Sequence, residues 1–201
     1  MRLWRYGSNS LADLGSQPSV TVNELGAVCM SGLVDSHGRA LPDHEAPTAD
    51  RLRVYGDFTF LALRSPRHAR MSVGTLRSYM EPPIVSGQFR VFRFDDIPRA
   101  MFTWGWLGPE AEHKLITGEP LVAGDWSSGD HLWIIDLMAP YRGLTAQIVR
   151  WIMVRGNFAE RDFYFRRVGG ENKTRRIVHI DFDADRLSRV YTGEQYLKRL
   201  R

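Results

Sequence analysis

A shortage of cysteine is the first constraint on this chain. Its 201 residues include one cysteine, Cys29, so no disulfide bond can form within the molecule. Such a composition is typical of proteins in a reducing compartment, and it excludes a small secreted scaffold built on disulfides. We therefore expect a cytoplasmic protein. A nucleophilic role for Cys29 is disfavoured, because an isolated cysteine is most often a small buried side chain.

Long apolar runs, targeting segments and metal-binding motifs are absent as well. No apolar run approaches the roughly 20 residues that a helix needs to span a bilayer, so we expect no integral membrane segment. The N-terminus carries Arg2 and Arg5 but no apolar region of a secretory signal. No histidine pair has the HExxH pattern or another metal-ligand spacing, and we expect no metal site.

Charge of one sign is in modest excess. The 27 basic and 23 acidic residues give a formal net charge of +4, which favours acidic partners. The arginines are scattered and no nucleic-acid-binding motif accompanies them, so we do not expect nucleic acid as a partner. An acidic carrier protein or an acidic protein substrate fits the charge equally well.

One folded domain with an N-terminal extension is the simplest organisation. Residues 1–48 are rich in glycine, proline, serine and other turn formers, and we interpret them as an extension, partly loop, of unknown role. Residues 49–201 contain periodic apolar segments and are long enough to build a hydrophobic core.

The sequence predicts a mixture of helices and strands. Thr48 or Asp50 caps a helix that Pro66 ends, which leaves His68 on the following loop. A second helix, 72–80, is expected to stop before Pro82. The remaining predicted elements are strands 88–94 and 100–106 in a hairpin, a surface helix 110–117, a buried strand 132–138, an amphipathic helix 144–155, and strands 163–168 and 176–182.

A carboxylate interrupts the predicted buried strand. Residues 132–138 form a short run rich in aromatic and β-branched side chains between Gly129 and Pro140, and Asp136 lies within it. An ionised carboxylate in such a run costs several kcal/mol unless a partner or a reaction requires it. Two interpretations stay open: a functional site, and a structural aspartate satisfied by backbone amides at a strand end.

The residues around this strand carry a family pattern. They are Asp125-Trp126-x-Ser128-Gly129-Asp130, followed by Trp133-x-Ile135-Asp136-x-x-Ala139-Pro140. Upstream, in matching order, are Ser65-Pro66-x-His68, Asp95-Asp96-x-Pro98 and Thr103-Trp104-x-x-Leu107. Over residues 52–183 the sequence resembles the RTX toxin-activating lysine acyltransferases, the hemolysin-activating type of enzyme.

The resemblance, together with the order of the predicted elements, implies an α/β (α+β) fold of the GNAT-like acyltransferase type. Its central sheet would be twisted, mostly antiparallel and flanked by helices. The implied enzyme moves a fatty acyl group from acyl carrier protein to the ε-amine of an internal lysine, most simply in an RTX protoxin. The donor would be the acyl-phosphopantetheine of the carrier rather than acyl-coenzyme A, with no permanently bound cofactor. A homodimer is implied as well.

Three alternatives remain open at this point. A related acyltransferase could lipidate a ribosomally made peptide, with the N-terminal extension recognising a leader segment. An ordinary GNAT enzyme would use acetyl-coenzyme A as the donor. A non-catalytic module would only bind an acyl carrier or a toxin.

The resemblance implies that His68 and Asp136 are the catalytic residues. Imidazole titrates near neutral pH, which suits His68 to take a proton from the lysine ammonium. Asp136 would orient His68 or the incoming ammonium. Formation of an acyl-imidazole on His68 is the competing mechanism.

Binding of the donor and substrate is expected from residues on either side of the buried strand. The turn after Pro140 stands where GNAT enzymes bind pyrophosphate or pantetheine at a helix N-terminus, but the usual paired glycines are absent and an ordinary turn is also consistent. The predicted binding residues are Ser65, Trp126, Ser128, Gly129, Ala139, Pro140, Arg142, Gly143 and Leu144. Arginines considered for docking an acidic carrier are Arg93, Arg99, Arg166, Arg167, Arg175 and Arg176.

Overall fold

The computed structural model describes residues 19–22, 28–31, 34–39, 47–169 and 173–200. The chain divides into two compact units, Met1–Pro47 and Thr48–Arg201. In the first unit, strands β1 (Ser19–Val22) and β2 (Val28–Ser31) pair antiparallel. Among the described residues, no helix combines the length and the apolar character needed to cross a lipid bilayer.

The second unit is built on a six-stranded sheet. Its strands follow chain order across the sheet, and each neighbouring pair is antiparallel except β5 and β6, which are parallel. The strands are β3 (Phe89–Phe94), β4 (Ile97–Leu107), β5 (His131–Met138), β6 (Asp162–Val168), β7 (Thr174–Asp181) and β8 (Ser188–Tyr191). The helices are α1 (Ala49–Ala62), α2 (Val73–Ser86), α3 (Pro109–Thr117), α4 (Leu144–Ile152) and α5 (Gly193–Leu197). The predicted GNAT-like α+β fold is therefore confirmed.

Helices cover both faces of the sheet. On one face α4 packs against apolar side chains that include Leu132 and Phe163. On the other face, two apolar clusters join the sheet to α1 and α2, and to α3 and α5, through residues such as Met138 and Trp133. The candidate catalytic residues described below lie where these layers meet β5.

Helix α1 begins as predicted and ends earlier than predicted. The Thr48 side chain accepts a hydrogen bond from the amide of Arg51, which satisfies a free donor of the first turn. The helix ends at Ala62, four residues before Pro66, and a 3₁₀ turn, His68–Arg70, follows. His68 thus lies at the start of a short helical turn rather than on an open loop.

The prediction that prolines would stop the second helix is wrong. Helix α2 continues through Pro82 and Pro83 to Ser86 and ends at Gly87, whose φ of +72° is typical of a helix C-cap. Pro83 is buried, and the Ser86 hydroxyl donates to the Pro82 carbonyl. Proline φ is compatible with a helix, so the lost amide donors are tolerated where packing holds the turn.

The hairpin between β3 and β4 is tighter than predicted. Asp95 and Asp96 form the two-residue turn, with φ angles of 50° and 61°, and these positive values match the twist of a hairpin. Ile97 and Pro98, which we expected in the turn, instead pair with Phe94 and Arg93. Strand β8 and helix α5 were not predicted.

Candidate active site

A β-bulge in β5 determines which face of the sheet Asp136 occupies. Ile134 lies opposite Trp104 and Asp136 lies opposite Thr103, so Ile135 is an extra residue on β5. Before the bulge, Leu132 and Ile134 belong to the α4 face. In a strand without a bulge, side chains alternate, and Asp136 would lie on that same face. The bulge instead turns Asp136 towards the helix layer that carries His68.

His68 and Asp136 form a buried pair. His68 Nε2 lies 2.6 Å from Asp136 Oδ2, and the two residues are 2% and 5% exposed. The other carboxylate oxygen, Oδ1, accepts a hydrogen bond of 3.0 Å from Arg67. The end of α1 and the 3₁₀ turn therefore bring two consecutive side chains, Arg67 and His68, to one carboxylate.

The surroundings keep Asp136 ionised. Burial alone would raise the pKa of this carboxyl, but the hydrogen bond and the charge of His68, the Arg67 guanidinium and a backbone amide at Leu137 together lower the pKa below its usual range. An ionised carboxylate accepts hydrogen bonds and does not donate them. We therefore assign a proton to His68 Nε2.

The second ring nitrogen of His68 meets a hydroxyl. His68 Nδ1 lies 2.7 Å from Ser65 Oγ, and both residues are buried. In the neutral imidazole Nδ1 accepts from the Ser65 hydroxyl, and in the imidazolium Nδ1 donates to it. The structure thus brings three predicted site residues, Ser65, His68 and Asp136, into one hydrogen-bonded chain. This chain is compatible with both the neutral imidazole and the imidazolium of His68.

A cavity opens beside this chain, where β5 and β6 separate. Within the described strands, β5 and β6 pair at two positions, Trp133 with Tyr164 and Ile134 with Phe165. Beyond them lies a cavity of about 350 Å³, a volume suited to a small ligand. Asp136 and Arg67 contribute to its wall, and most of the remaining wall is apolar: Ile134, Ile135, Leu137, Val149, Ile152, Met153, Phe163, Phe165 and Val168. Polar wall residues are Thr145, Arg166 and Arg167.

The predicted binding residues before β5 lie elsewhere. The Ser128 hydroxyl accepts from the amide of Gly108 and donates to the carbonyl of Asp125, so it connects two loops. Gly129 lies against the Gly108 backbone. Trp126 is buried, and it lines a separate cavity of about 20 Å³ that also contacts Ile135 and Arg166. Of these residues, Trp126 is the one placed near the His68 side of the sheet.

The predicted binding residues after β5 border a different cavity. Ala139 and Pro140 follow the strand, and Gly143, with φ of +81°, caps the N-terminus of α4. Arg142 and Leu144 line an open depression of about 270 Å³ with Phe94, Arg99, Tyr141 and Gln147. Arg99 donates to the Tyr141 hydroxyl there. Thr145, one residue further along α4, reaches the cavity beside Asp136.

Sequence reasoning missed the basic side chains nearest to Asp136. Arg67 occupies the unspecified position of the Ser-Pro-x-His element. The sequence suggests Arg166 only as one of several arginines that could dock an acidic carrier. Arg166 is in fact half-buried at the cavity wall, and Arg93 pairs with the buried Asp57. The charge of Arg67 beside His68 was the available signal. Among the described residues, no group of three or more His, Cys, Asp or Glu side chains is placed to hold a metal ion.

The sheet, the two helix layers and the site between diverging strands define a GNAT-like α+β domain. The sequence model of the RTX toxin acyltransferase family matches residues 47–181. That match covers more than half of the chain, and the protein belongs to this family.

Curated relatives agree with the family match. The chain is 31% identical over 106 residues to the protein-lysine palmitoyltransferase CyaC of Bordetella bronchiseptica, covering 50% of this chain and 57% of the relative. It is 33% identical over 125 residues to the RTX-I toxin-activating lysine-acyltransferase ApxIC of Actinobacillus pleuropneumoniae, covering 62% and 71%. It is 35% identical over 91 residues to the protein-lysine myristoyltransferase HlyC of Escherichia coli, covering 45% and 54%. The chain thus spans a little over half the length of two of these three relatives.

Proposed function

We propose that this protein is a protein-lysine fatty acyltransferase that moves an acyl group from the thioester of acyl carrier protein to a lysine ε-amine of an RTX protoxin. The observation that carries the proposal is the buried contact between His68 and Asp136, 2.6 Å long, at the wall of an apolar cavity. Family membership and the names of the relatives support the same reaction.

The reaction needs a deprotonated amine, a polarised carbonyl and a fixed distance between them. The lysine ammonium gives a proton to His68, directly or through the Ser65 hydroxyl, and the neutral amine attacks the thioester carbon. A C–N bond forms while the carbonyl electrons move to oxygen. The nitrogen releases its second proton to water, the C–S bond breaks, and the pantetheine sulfur leaves with the proton held by His68. Asp136 stabilises the imidazolium between these steps.

A general-base role for His68 is favoured over an acyl-imidazole. Both ring nitrogens are in hydrogen-bond contact, Nε2 with Asp136 and Nδ1 with Ser65. A nitrogen that attacks a thioester must give up such a contact and turn its lone pair to the substrate. A proton, by contrast, passes along the existing hydrogen bonds.

The fatty chain of the donor fits the apolar part of the cavity against α4. Val149, Ile152 and Phe163 form that part of the wall, and burial of methylene groups there supplies binding free energy of about 0.8 kcal/mol per group. The basic charge of the chain favours an acidic acyl carrier as the donor. In this proposal the enzyme acts in the cytoplasm, as its single cysteine suggests, and forms a homodimer, as the family resemblance implies.

Intact-mass analysis of a protoxin fragment, incubated with acyl carrier thioesters and purified enzyme, tests the proposal. We expect an acyl adduct on lysine, and we expect His68→Ala to lower its rate of formation about 10²-fold or more. His113→Ala is the matched control, because His113 is an exposed histidine on α3. A folded His68→Ala variant with full activity would contradict the mechanism. Transfer from acyl-coenzyme A but not from acyl carrier protein would contradict the proposed donor. Transfer to precursor peptides but not to the protoxin would contradict the proposed acceptor.

A further inference from the structure

Arg166 lies on the strand that faces Asp136 across the opening in the sheet. It follows Phe165, the last β6 residue that pairs with β5. Tyr164, two residues earlier, packs with Trp133 on the sheet face that also bears Asp136. Because side chains alternate along a strand, Arg166 projects to that same face. Arg166 and Asp136 thus flank the opening, and both line the cavity between them.

The guanidinium of Arg166 is held in a restricted and mostly dry environment. Its Nη1 donates to Thr174 Oγ1 over 3.4 Å, and Tyr79 also hydrogen-bonds with this side chain. Burial, followed by the nearby charge of Arg67, lowers the pKa of Arg166, whereas Tyr79 and Asp136 raise it. An arginine remains protonated despite such a shift. A fixed cation therefore stands at the wall of an otherwise apolar cavity.

The wall of this cavity carries more positive than negative charge. Arg67, Arg166 and the more exposed Arg167 contribute three positive charges, while Asp136 contributes one negative charge, which contacts Arg67 and His68. Removing a guanidinium from water is costly unless a partner or a reaction uses it. The acyl chain is neutral, so the group in the donor that gains negative charge during the reaction is the carbonyl oxygen.

We propose that Arg166 is a further catalytic residue, whose guanidinium binds the thioester carbonyl and the oxyanion formed from it. This inference rests on the proposed acyl transfer. When the lysine nitrogen attacks the carbonyl carbon, the C=O electron pair moves to oxygen, and Arg166 stabilises the resulting negative charge. The electron pair on oxygen then re-forms the C=O bond as the C–S bond breaks, and the negative charge leaves with the sulfur, which takes the proton held by His68. Arg166 exchanges no proton. Arg67 remains paired with Asp136. The two arginines therefore have different roles: Arg67 binds Asp136, and Arg166 binds the oxyanion.

Kinetics with two donors separate this role from binding of the pantetheine phosphate. Palmitoyl-pantetheine has no phosphate, and palmitoyl-phosphopantetheine has one. We expect Arg166→Met to lower kcat about 10²–10³-fold with both donors, the usual effect of losing one oxyanion donor, with little change in KM. A defect confined to KM of the phosphorylated donor would overturn the proposal and assign Arg166 to the phosphate. Unchanged kinetics would overturn it as well.

A lysine substitution tests the position of Arg166 independently of turnover. A guanidinium does not serve as an acceptor amine, but a lysine amine placed beside the thioester carbonyl is an acceptor. We therefore expect Arg166→Lys, incubated with palmitoyl-pantetheine and no protoxin, to acquire one palmitoyl group on the introduced amine, located by peptide mass mapping. The wild-type chain should carry no adduct in that peptide. Absence of the adduct in a folded variant would contradict proximity to the carbonyl.

The control and the order of measurements keep the two proposals distinguishable. Arg189→Met makes the same chemical change at an exposed arginine on β8, opposite His179, and should leave kcat unchanged. If the wild type transfers no acyl group to any acceptor, the proposed function fails. If the wild type is active and Arg166→Met has the same kcat as Arg189→Met, only the role of Arg166 fails.

Discussion

The carboxylate of Asp136 depends on groups contributed by a distant segment of the chain. Arg67 and His68 lie 69 and 68 residues away in sequence, yet they occupy its two oxygens. These contacts lower the pKa of Asp136 against the opposing effect of burial. A carboxyl whose pKa is lower in the folded state stabilises the protein above its unfolded pKa of about 3.9. That contribution is lost as the pH falls through the folded pKa.

Removal of Arg67 should therefore matter most near neutral pH. At pH 6 we expect Arg67→Met to lower the free energy of unfolding by about 1.5–3 kcal/mol, the scale of a hydrogen bond to a charged group. The difference from wild type should shrink as the pH falls below about 4 and through the folded pKa of Asp136, because a protonated Asp136 no longer forms an ion pair with Arg67. Urea unfolding across this pH range measures it. Arg70→Met, at an exposed position nearby, is the control, and a difference independent of pH would contradict the argument.

Part of the site could be predicted from single residues, and part could not. Asp136 is conspicuous because a carboxylate in an apolar run is costly, and His68 follows from the family pattern. Arg166 gives no such signal, since an arginine after three consecutive aromatic residues is equally consistent with a solvated strand face. Its burial depends on the separation of β5 and β6, a property of two strands rather than of one residue.

At the scale of elements, the connection that leads into β5 depends on a close backbone approach. A Cβ placed on Gly129 would lie 2.5 Å from Gly108 Cα and from its nitrogen, which a folded chain cannot accept without movement. We expect Gly129→Ala to destabilise the protein by about 1–3 kcal/mol, the usual cost of overpacking. Gly124 has open space at the same atom, so Gly124→Ala should have little effect. Equal unfolding midpoints in urea for the two variants would refute this packing role.

A buried carboxylate on α3 connects two other elements, β5 and α5. Glu112 Oε1 accepts from His131 Nδ1 at 2.6 Å, Trp133 Nε1 at 2.7 Å and the Tyr196 hydroxyl at 3.2 Å. Glu112 is fully buried, although the sequence predicted a surface helix. Burial, together with the Glu112 charge, raises the pKa of Tyr196, which keeps this hydroxyl a donor.

Loss of the Glu112 acceptor should destabilise the whole cluster. Glu112→Ala leaves the buried donors of Trp133 and Tyr196 without an acceptor, and each costs about 1–3 kcal/mol, so we expect a loss of at least about 2 kcal/mol. Glu112→Gln retains one acceptor oxygen and should cost less. Glu110→Ala removes an exposed carboxylate from the same helix and should change stability by less than about 0.5 kcal/mol. Chemical denaturation of the three variants provides the comparison, and equal losses would contradict it.

Element positions were more predictable than element faces and ends. Strand β5 was expected at residues 132–138 and spans His131–Met138, because its apolar run has turn formers at both ends. The bulge at Ile135 has no sequence signature, since it depends on pairing with Thr103 and Trp104 in β4. The prolines at positions 82 and 83 predict a helix end, but α2 continues through both of them, because tertiary packing stabilises its last turn. Contacts between elements determine the bulge and the end of α2, so neither can be predicted from local residue preferences.

At the scale of the whole molecule, the kind of basic residue is as informative as the net charge. Three of the 27 basic residues are lysines, Lys114, Lys173 and Lys198, and the others are arginines. Lys114 is held by both oxygens of Asp125. An enzyme that acylates lysine amines offers few acceptors of its own when its positive charge resides on guanidinium groups. The charge remains available to attract an acidic donor.

This charge predicts a salt dependence that differs between donors. Raising the salt from about 50 mM to about 500 mM shortens the range of electrostatic attraction to a few ångströms. We expect kcat/KM with acyl carrier protein to fall by about tenfold, the lower end of electrostatic steering effects. With palmitoyl-pantetheine, which carries no charge, kcat/KM should stay nearly constant over the same range, because the proposed catalytic residues His68 and Asp136 are buried. An equal decline for both donors would place the salt effect in the active site and remove the argument for an acidic carrier. A decline confined to the carrier-bound donor would assign the salt effect to the association of carrier and enzyme, which the net charge of +4 favours.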